Sequence, residues 1–350
     1  MNIGFFVRHF SERGTEVAIY DYAKHNEELL HNKSFIFYFS GDTQRKMNFP
    51  ATRDSFDKFE SRFPMFEISD FGDMRALVAD LRLDFFYTLT HGMRENHIYR
   101  FDDKSIWNNC KTVKHCVFET RFPEGDFCFS ISHALNRTSG TQMAVIPHMV
   151  DLPELDRGVN LRRELGIPED ATVFGRHGGC DSFNIGFVMD AIREFVQVNA
   201  STYFVFMNTA PFFVHPNIIY LEKSLDLDRK VRFIQTCDAM IHARGEGETF
   251  GCAVAEFSSK NKPVITCSVG CDLEHIDILG NKAITYATKA DVTRIFGNFD
   301  RIAAAGADWN AYRQYSAENV METFRLGRIG YRLVAQYIYC LLYTSPSPRD

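Results

Sequence analysis

Two glutamates, Glu248 and Glu256, have seven residues between them in the run Arg244-Gly245-Glu246-Gly247-Glu248-Thr249-Phe250-Gly251-Cys252-Ala253-Val254-Ala255-Glu256-Phe257. The run leads into Lys262-Pro263-Val264-Ile265-Thr266, which reads as a buried strand. A Gly-rich turn ahead of an Ala/Val/Phe segment predicts a helix start. The first backbone N–H groups of a helix lack intrahelical partners and can face an anion, with Thr249 as the expected N-cap. Glu256 then falls about five residues into that helix, about 8 Å along its axis. A carboxylate there can accept hydrogen bonds from a vicinal diol while the helix start holds phosphates attached to it. Solvated loop charges also produce such pairs, and Glu246 and Glu248 both fit that description, so the neighbourhood has to decide.

These residues need elements to hold them. Apolar runs at 1–8 and 34–40 predict buried strands with a helix over 15–31 between them. Further strands are expected near 65–69, 84–90, 111–117, 126–131 and 143–146, with a helix near 70–82. Strand and helix in alternation mean a parallel sheet covered on both faces. Near residue 147 the texture changes, and Pro147 and Pro153 mark an extended linker. A charged helix over 158–165 opens a second series, with strands near 171–175, 202–208, 216–220, 238–243, 263–267 and 283–286. The pattern over 311–339 predicts two helices with a break near Leu326 and Gly327, and residues 341–350 depart from it abruptly as a non-native tail would.

The 350 residues have room for two separate cores. A net charge of −6 without a long Lys/Arg block argues against a nucleic-acid footprint, so any phosphate must be met locally. Nine scattered cysteines with no C-x-x-C pair fit reduced thiols, and the expected location is cytoplasmic. The first apolar run is too short and wrongly flanked for a signal peptide. No run reaches the roughly 20 apolar residues of a membrane span. Neither half carries G-x-G-x-x-G after its first strand, which removes the main support for a dehydrogenase. Asp226-Leu227-Asp228 superficially matches a D-x-D metal motif, but it lies in the charged run 225–230 and reads as a solvated helix start. No metal is assigned.

The pattern Glu248-Thr249-Phe250-Gly251, then Glu256, then Pro263-Val264-Ile265 resembles the E-x7-E signature of retaining GT-B glycosyltransferases of the family 4 type. Phe174-Gly175-Arg176-His177-Gly178-Gly179 matches that family's Gly-Arg turn after the first strand of the second domain. Ser11-Glu12-Arg13-Gly14-Thr15-Glu16 resembles its Gly-Gly-x-Glu loop, with Arg13 in place of the first Gly. One departure is clear. The family's Lys, six or seven residues after the Arg, is replaced here by Ser182 and Phe183, with Asn184 next.

The resemblance implies an α/β fold of GT-B type, two Rossmann-like domains facing a central cleft with a C-terminal helix crossing back. On this chain it gives an acceptor domain at 1–148, a donor domain at 149–322, a returning helix within 323–340 for which 329–340 is the candidate, and the tail at 341–350. It implies metal-independent transfer, with retention, from a nucleoside-diphosphate sugar that serves as donor substrate, and no separate cofactor. Glu256 would hold the ribose diol and Glu248 the donor sugar. Arg176, with Thr249 and the amides near Phe250 and Gly251, would bind the diphosphate and stabilise it as it leaves.

By the same resemblance His115, at the end of a strand, would face the cleft and contact sugar or acceptor, with His91 a weaker candidate. Gly14 would allow close backbone approach. Gly175, Asn208, Thr209, Arg244 and Gly245 would line the donor pocket. The acceptor would be a glycan, a lipid or a small molecule, and peripheral membrane contact is compatible with it. Two other classes stay open: a nucleotide-sugar epimerase, and a GT-B-like nucleotide-sugar or glycan-binding protein of weak or lost activity, which the missing Lys favours. A glycogen-type phosphorylase fits poorly, because its pyridoxal-phosphate lysine site is not evident and the chain is short for it.

Overall fold

The computed structural model of the protein describes residues 1–11, 13–46, 52–156, 158–303 and 308–325. The break near Leu326, the candidate helix 329–340 and the tail 341–350 lie outside the described residues. Every strand expected from an apolar run is present. They are β1 (Asn2–Val7), β2 (Lys33–Phe39), β3 (Met65–Ile68), β4 (Phe85–Thr90), β5 (Lys111–Cys116), β6 (Phe127–Ser130) and β7 (Ala144–Val145), followed by β8 (Thr172–His177), β9 (Thr202–Met207), β10 (Ile218–Leu221) and β11 (Ala239–His242). A two-residue strand, β12 (Gly247–Glu248), comes next, then β13 (Val264–Cys267), a second two-residue strand β14 (Asp272–Leu273), and β15 (Ala283–Tyr286).

Contacts group these elements into two units. The first takes 1–11, 15–149 and the helix Ala317–Phe324, and the second takes 150–316 with Arg13 and Gly14. The first unit holds a seven-stranded sheet in the order β3-β2-β1-β4-β5-β6-β7, the second a six-stranded sheet in the order β10-β9-β8-β11-β13-β15. Both are parallel throughout. The reason is in the strand sequences: Phe5, Phe6 and Val7 of β1, and Phe204, Val205 and Phe206 of β9, are consecutive buried residues, as strands covered on both faces require.

The strand order fixes where a ligand can meet each sheet. In the first unit the chain moves outward from β1 through β2 to β3 and then restarts on the other side with β4, so the reversal falls between β1 and β4. In the second it falls between β8 and β11. At such a point the loops leaving the carboxyl ends of the two central strands diverge and open a crevice.

Helix ends differ from the sequence expectations where side chains compete for the backbone. The helix expected over 158–165 is one turn, Arg162–Leu165, closed by Gly166 at φ 66°. Arg162 there is buried, bonding the carbonyls of Glu169 and Ala171 at 2.9 and 2.8 Å and the Asp238 carboxylate at 2.9 Å, so it serves as a brace instead of extending a charged helix. The helix expected over 70–82 spans Met74–Asp80, and that over 15–31 spans Gly14–Glu28. Phe324 stacks on Tyr22 at 4.9 Å and on Phe5 at 6.2 Å, which docks the helix Ala317–Phe324 on the first unit. Among the described residues no helix is long and apolar enough to cross a membrane.

Candidate functional site

The reversal between β8 and β11 brings together most of the residues singled out in the second half. Arg176 is the fifth residue of β8 and is 3% exposed. Its guanidinium donates to Thr209 Oγ1 at 2.5 Å, Ser182 Oγ at 2.5 Å and Gly179 O at 2.9 Å, with a longer contact to Asn208 O at 3.4 Å. All these partners are neutral, and among the described residues no carboxylate lies within 4 Å of it. Burial pulls its pKa down to about 10, with the nearby Glu248 opposing the fall, so the group stays cationic at neutral pH. The fold therefore holds an unmatched positive charge at this edge.

The turn carrying Arg176 departs from the expected one. Gly175 lies inside β8, and a Cβ there would stand 2.1 Å from Cys237 Sγ; its role is close packing under the sheet, and the turn itself begins at Gly178. Asn208, with φ 52°, donates to Gly178 O at 2.7 Å, so it braces that turn instead of offering a free amide to a base. Ser182 donates to Gly179 O at 3.0 Å as it accepts from Arg176. Asn184 bonds Glu246 at 3.2 Å and the Gly245 amide at 2.8 Å. Neither side chain stands in for the missing Lys as a free donor.

Glu248 is placed by the small ladder that sequence reading missed. Gly247 and Glu248 pair with Asp272 and Leu273, and a Cβ on Gly247, at φ 81°, would come 1.9 Å from Asp272 O. A glycine is required there for both reasons. Glu248 Oε1 lies 3.2 Å from His242 Nε2, and Oε2 accepts from Arg244 at 3.0 Å. Burial raises the Glu248 pKa, but the hydrogen bond and charge of His242 and the charge of Arg244 outweigh it and leave the carboxyl below its usual range.

The helix expected after the turn spans Cys252–Ser259, with Glu256 as its fifth residue. Its N-cap is Gly251, in the left-handed region at φ 84°, and not Thr249; no side chain caps it. The backbone reverses at Gly251, where a Cβ would crowd His275 and Glu248 at 3.2 and 3.3 Å, so Thr249 sits two residues too early to reach the first turn. Phe250 is buried against Tyr312 and Tyr315 at 5.6 and 5.2 Å, and its carbonyl accepts from Tyr312 Oη at 3.1 Å.

Glu256 has two cationic or ionisable neighbours that sequence reading missed. Lys230 Nζ donates to Oε1 at 2.9 Å, and His177 Nε2 lies 2.8 Å from Oε2, off the line of a good hydrogen bond. Burial raises the Glu256 pKa, yet the charges of Lys230 and His177 carry it down to about 2. The signal was available: Lys230 lies on the helix Leu227–Thr236 three and four residues before the buried Phe233 and Ile234, so it shares their face. Asp226 is the N-cap of that helix, accepting from the Asp228 and Arg229 amides at 2.9 and 3.3 Å. Among the described residues no cluster of His, Cys, Asp and Glu is arranged to hold a metal ion.

In the first unit His115 is enclosed. It lies on β5, one strand away from the reversal between β1 and β4, and it is completely buried. Its Nδ1 meets Tyr87 Oη at 2.6 Å, and burial, with His148 adding to it, lowers its pKa to about 3. His91, which follows β4 at the reversal itself, is exposed. Gly14, which groups with the second unit, is exposed at the start of the helix Gly14–Glu28.

No protein-family profile matches the chain, and no curated protein matches it in sequence. Solved structures do match its fold. HepE from Anabaena, described in complex with UDP and glucose, superposes with a TM-score of 0.64 at 14% identity over 96% of this chain and 100% of that one. Sucrose-phosphate synthase from Thermosynechococcus elongatus gives 0.62 at 11% identity, over 98% and 100% of the two chains. A UDP-N-acetylglucosamine 2-epimerase from Listeria monocytogenes, described as putative, gives 0.54 at 12% identity, over 100% and 98%. The two parallel α/β sheets thus match the GT-B fold of two Rossmann-like domains. At these identities the likeness concerns the fold alone.

Proposed function

We propose that the protein is a glycosyltransferase that moves a sugar from a nucleoside-diphosphate sugar to a hydroxyl-bearing acceptor, with retention of anomeric configuration and without a metal ion. The observation that carries this reading is the buried Arg176 guanidinium, surrounded by neutral partners at a parallel-sheet reversal that also holds the uncapped helix start at Gly251 and the ionised Glu248 and Glu256. A buried cation beside the amides of a helix start favours an anion between them. Two acceptor-only carboxylates call for hydroxyl donors. A sugar linked through a diphosphate to a ribose supplies both.

In the reaction, Arg176 and the amides after Gly251 would hold the diphosphate and take up charge as the bond from the anomeric carbon to the phosphate oxygen breaks. The acceptor oxygen bonds to the same face of that carbon, and its proton passes to the departing phosphate oxygen. Glu256 would accept from the ribose hydroxyls and Glu248 from the transferred sugar, so neither acts as a nucleophile. The acceptor would be a glycan, a lipid or a small molecule held by the first unit, and the location cytoplasmic.

The test is incubation with UDP-, GDP- and ADP-hexoses and a panel of sugar and lipid acceptors, with and without EDTA, followed by NMR of the product. A glycoside with the donor's anomeric configuration, formed in EDTA, is the expected result. A donor isomer formed without any acceptor would instead make the protein an epimerase, a reading favoured by the 0.54 TM-score to the 2-epimerase fold. Binding without turnover would make it a nucleotide-sugar-binding protein, which the internal engagement of Ser182 and Asn184 favours.

A further inference from the structure

Behind Glu248 lies a line of three buried polar side chains that substrate contact alone does not require. His242 ends β11 and Thr266 is its direct partner on β13. His242 Nδ1 lies 2.8 Å from Thr266 Oγ1, and the same hydroxyl lies 2.9 Å from His275 Nε2. His242 is 4% exposed, and Thr266 and His275 are not exposed at all. The His242 carbonyl is pinned by Tyr286 Oη at 2.7 Å. Isolating three polar groups in a core is costly unless they bond one another, and apolar side chains would fill the same space without that demand.

We propose that His242, Thr266 and His275 form a relay of positioning residues that holds Glu248 in the orientation and charge state that reads the transferred sugar. The inference rests on the donor-site reading above. Its chemistry follows from proton counts. With His242 neutral, Nε2–H donates to Glu248, so Nδ1 must accept the Thr266 hydroxyl proton, and Thr266 Oγ1 in turn accepts Nε2–H of His275. Each donor then points towards Glu248. With His242 charged, the hydroxyl reverses: it accepts from His242 Nδ1–H and donates to Nε2 of His275 in its other tautomer. A hydroxyl between two imidazoles keeps both links in either state, and the His242 ring stays aimed at the carboxylate. Arg244, His275, Arg176, Glu246 and Asp272 are other ionisable groups that interact electrostatically with Glu248.

Thr266 offers a test that a packing role fails. Thr266→Val keeps the shape and removes the hydroxyl, whereas Thr266→Ser keeps the hydroxyl and removes a methyl. Calorimetry would measure affinity for the nucleoside diphosphate and for the corresponding sugar ester, choosing whichever UDP-, GDP- or ADP-hexose the wild type binds most tightly. The relay predicts that Thr266→Val loses about tenfold of the extra affinity contributed by the sugar, with diphosphate affinity nearly unchanged, and that Thr266→Ser stays within about threefold of wild type.

A second arm uses His242. His242→Gln can still donate to Glu248 and should retain most of the sugar-dependent affinity. His242→Leu cannot, and its sugar-dependent affinity should fall as pH drops from 7 to 5 while that of the wild type stays flat. Serine more damaging than valine, or His242→Leu with a flat pH profile, would overturn the relay while leaving the donor site standing. A wild type that binds no nucleotide sugar would overturn the donor reading and the relay with it.

Discussion

The two sheets reverse their strand order in the same manner but handle charge differently at the reversal. In the first unit the cations are matched. Arg8, after β1, lies 3.6 Å from Glu95, and the fully buried Lys114 of β5 bonds Glu124 at 2.7 Å with Glu95 at 3.8 Å. Lys114 also donates to the Met93 and Phe122 carbonyls at 2.6 and 2.9 Å, so it ties together the loops that follow β4 and β5. In the second unit Glu248 and Glu256 are each matched by two neighbours, and Arg176 has only neutral ones. A buried cation without a counter-ion costs stability in the free protein. The contrast identifies which edge is built for an anion and which is built to hold loops in place.

The sharpest way to break that contrast is Arg176→Met. Loss of charge-assisted bonds to a diphosphate should lower nucleotide affinity by about 3 kcal/mol, roughly a hundredfold, in calorimetry. Because the cation has no carboxylate partner among the described residues, the melting temperature of the ligand-free variant should stay level or rise. Lys114→Met should do the reverse, leaving the half-buried Glu124 without this cation, destabilising the fold and sparing nucleotide affinity. A matching loss of stability in both variants would erase the distinction between the two edges.

Glu256→Ala should weaken nucleotide binding and also destabilise the free protein by about 3 kcal/mol, since the buried Lys230–Glu256 ion pair is lost. Chemical denaturation checks this. Glu256→Gln, which keeps an acceptor for Lys230, should lose less stability than Ala. Gly247→Ala should have a smaller and local effect, about 2 kcal/mol, through steric conflict with Asp272 O and an unfavourable φ. Hydrogen exchange should then rise first around β12 and β14.

The pH dependence sharpens the picture of the first unit. Burial lowers the pKa of both His115 and His148 to about 3, below the ~6.5 of an unfolded chain. Their contribution to stability is therefore complete above pH ~6.5 and declines as pH falls towards 3, each adding a slope of about 1.4 kcal/mol per pH unit. Glu256, depressed to about 2, adds a further loss as pH falls from the ordinary glutamate value of ~4.3 towards 2. His115→Gln should reduce the slope between pH 6 and 4 by one proton while leaving nucleotide affinity within about twofold of wild type. An unchanged slope would mean that His115 does not titrate on unfolding.

The sequence made the sheets legible because a strand buried on both faces is written as a run of apolar residues, and such runs place the strands of both large sheets. The two-residue ladder of β12 and β14 carries no period, and only Gly247 marks it. Thr249 looked like an N-cap because its type is right, but the left-handed turn that starts the helix needs Gly251. His115 lies on β5, and strand order, which a single sequence does not supply, puts the first unit's reversal one strand away, between β1 and β4. Lys230, His177 and His242 are far from the glutamates they meet or interleaved with apolar positions. Folding brings them together across strands and helices whose order the spacing of motifs does not reveal.

The most direct test of the central claim, that the edge beside β8 is a nucleotide-sugar site, is calorimetric titration of the wild type and Arg176→Met with UDP, GDP and ADP and their glucose or mannose esters. The account predicts that the wild type binds one nucleotide and its sugar ester and that the variant loses both by about a hundredfold. Equal affinity in the two proteins, or no binding by the wild type, would contradict it.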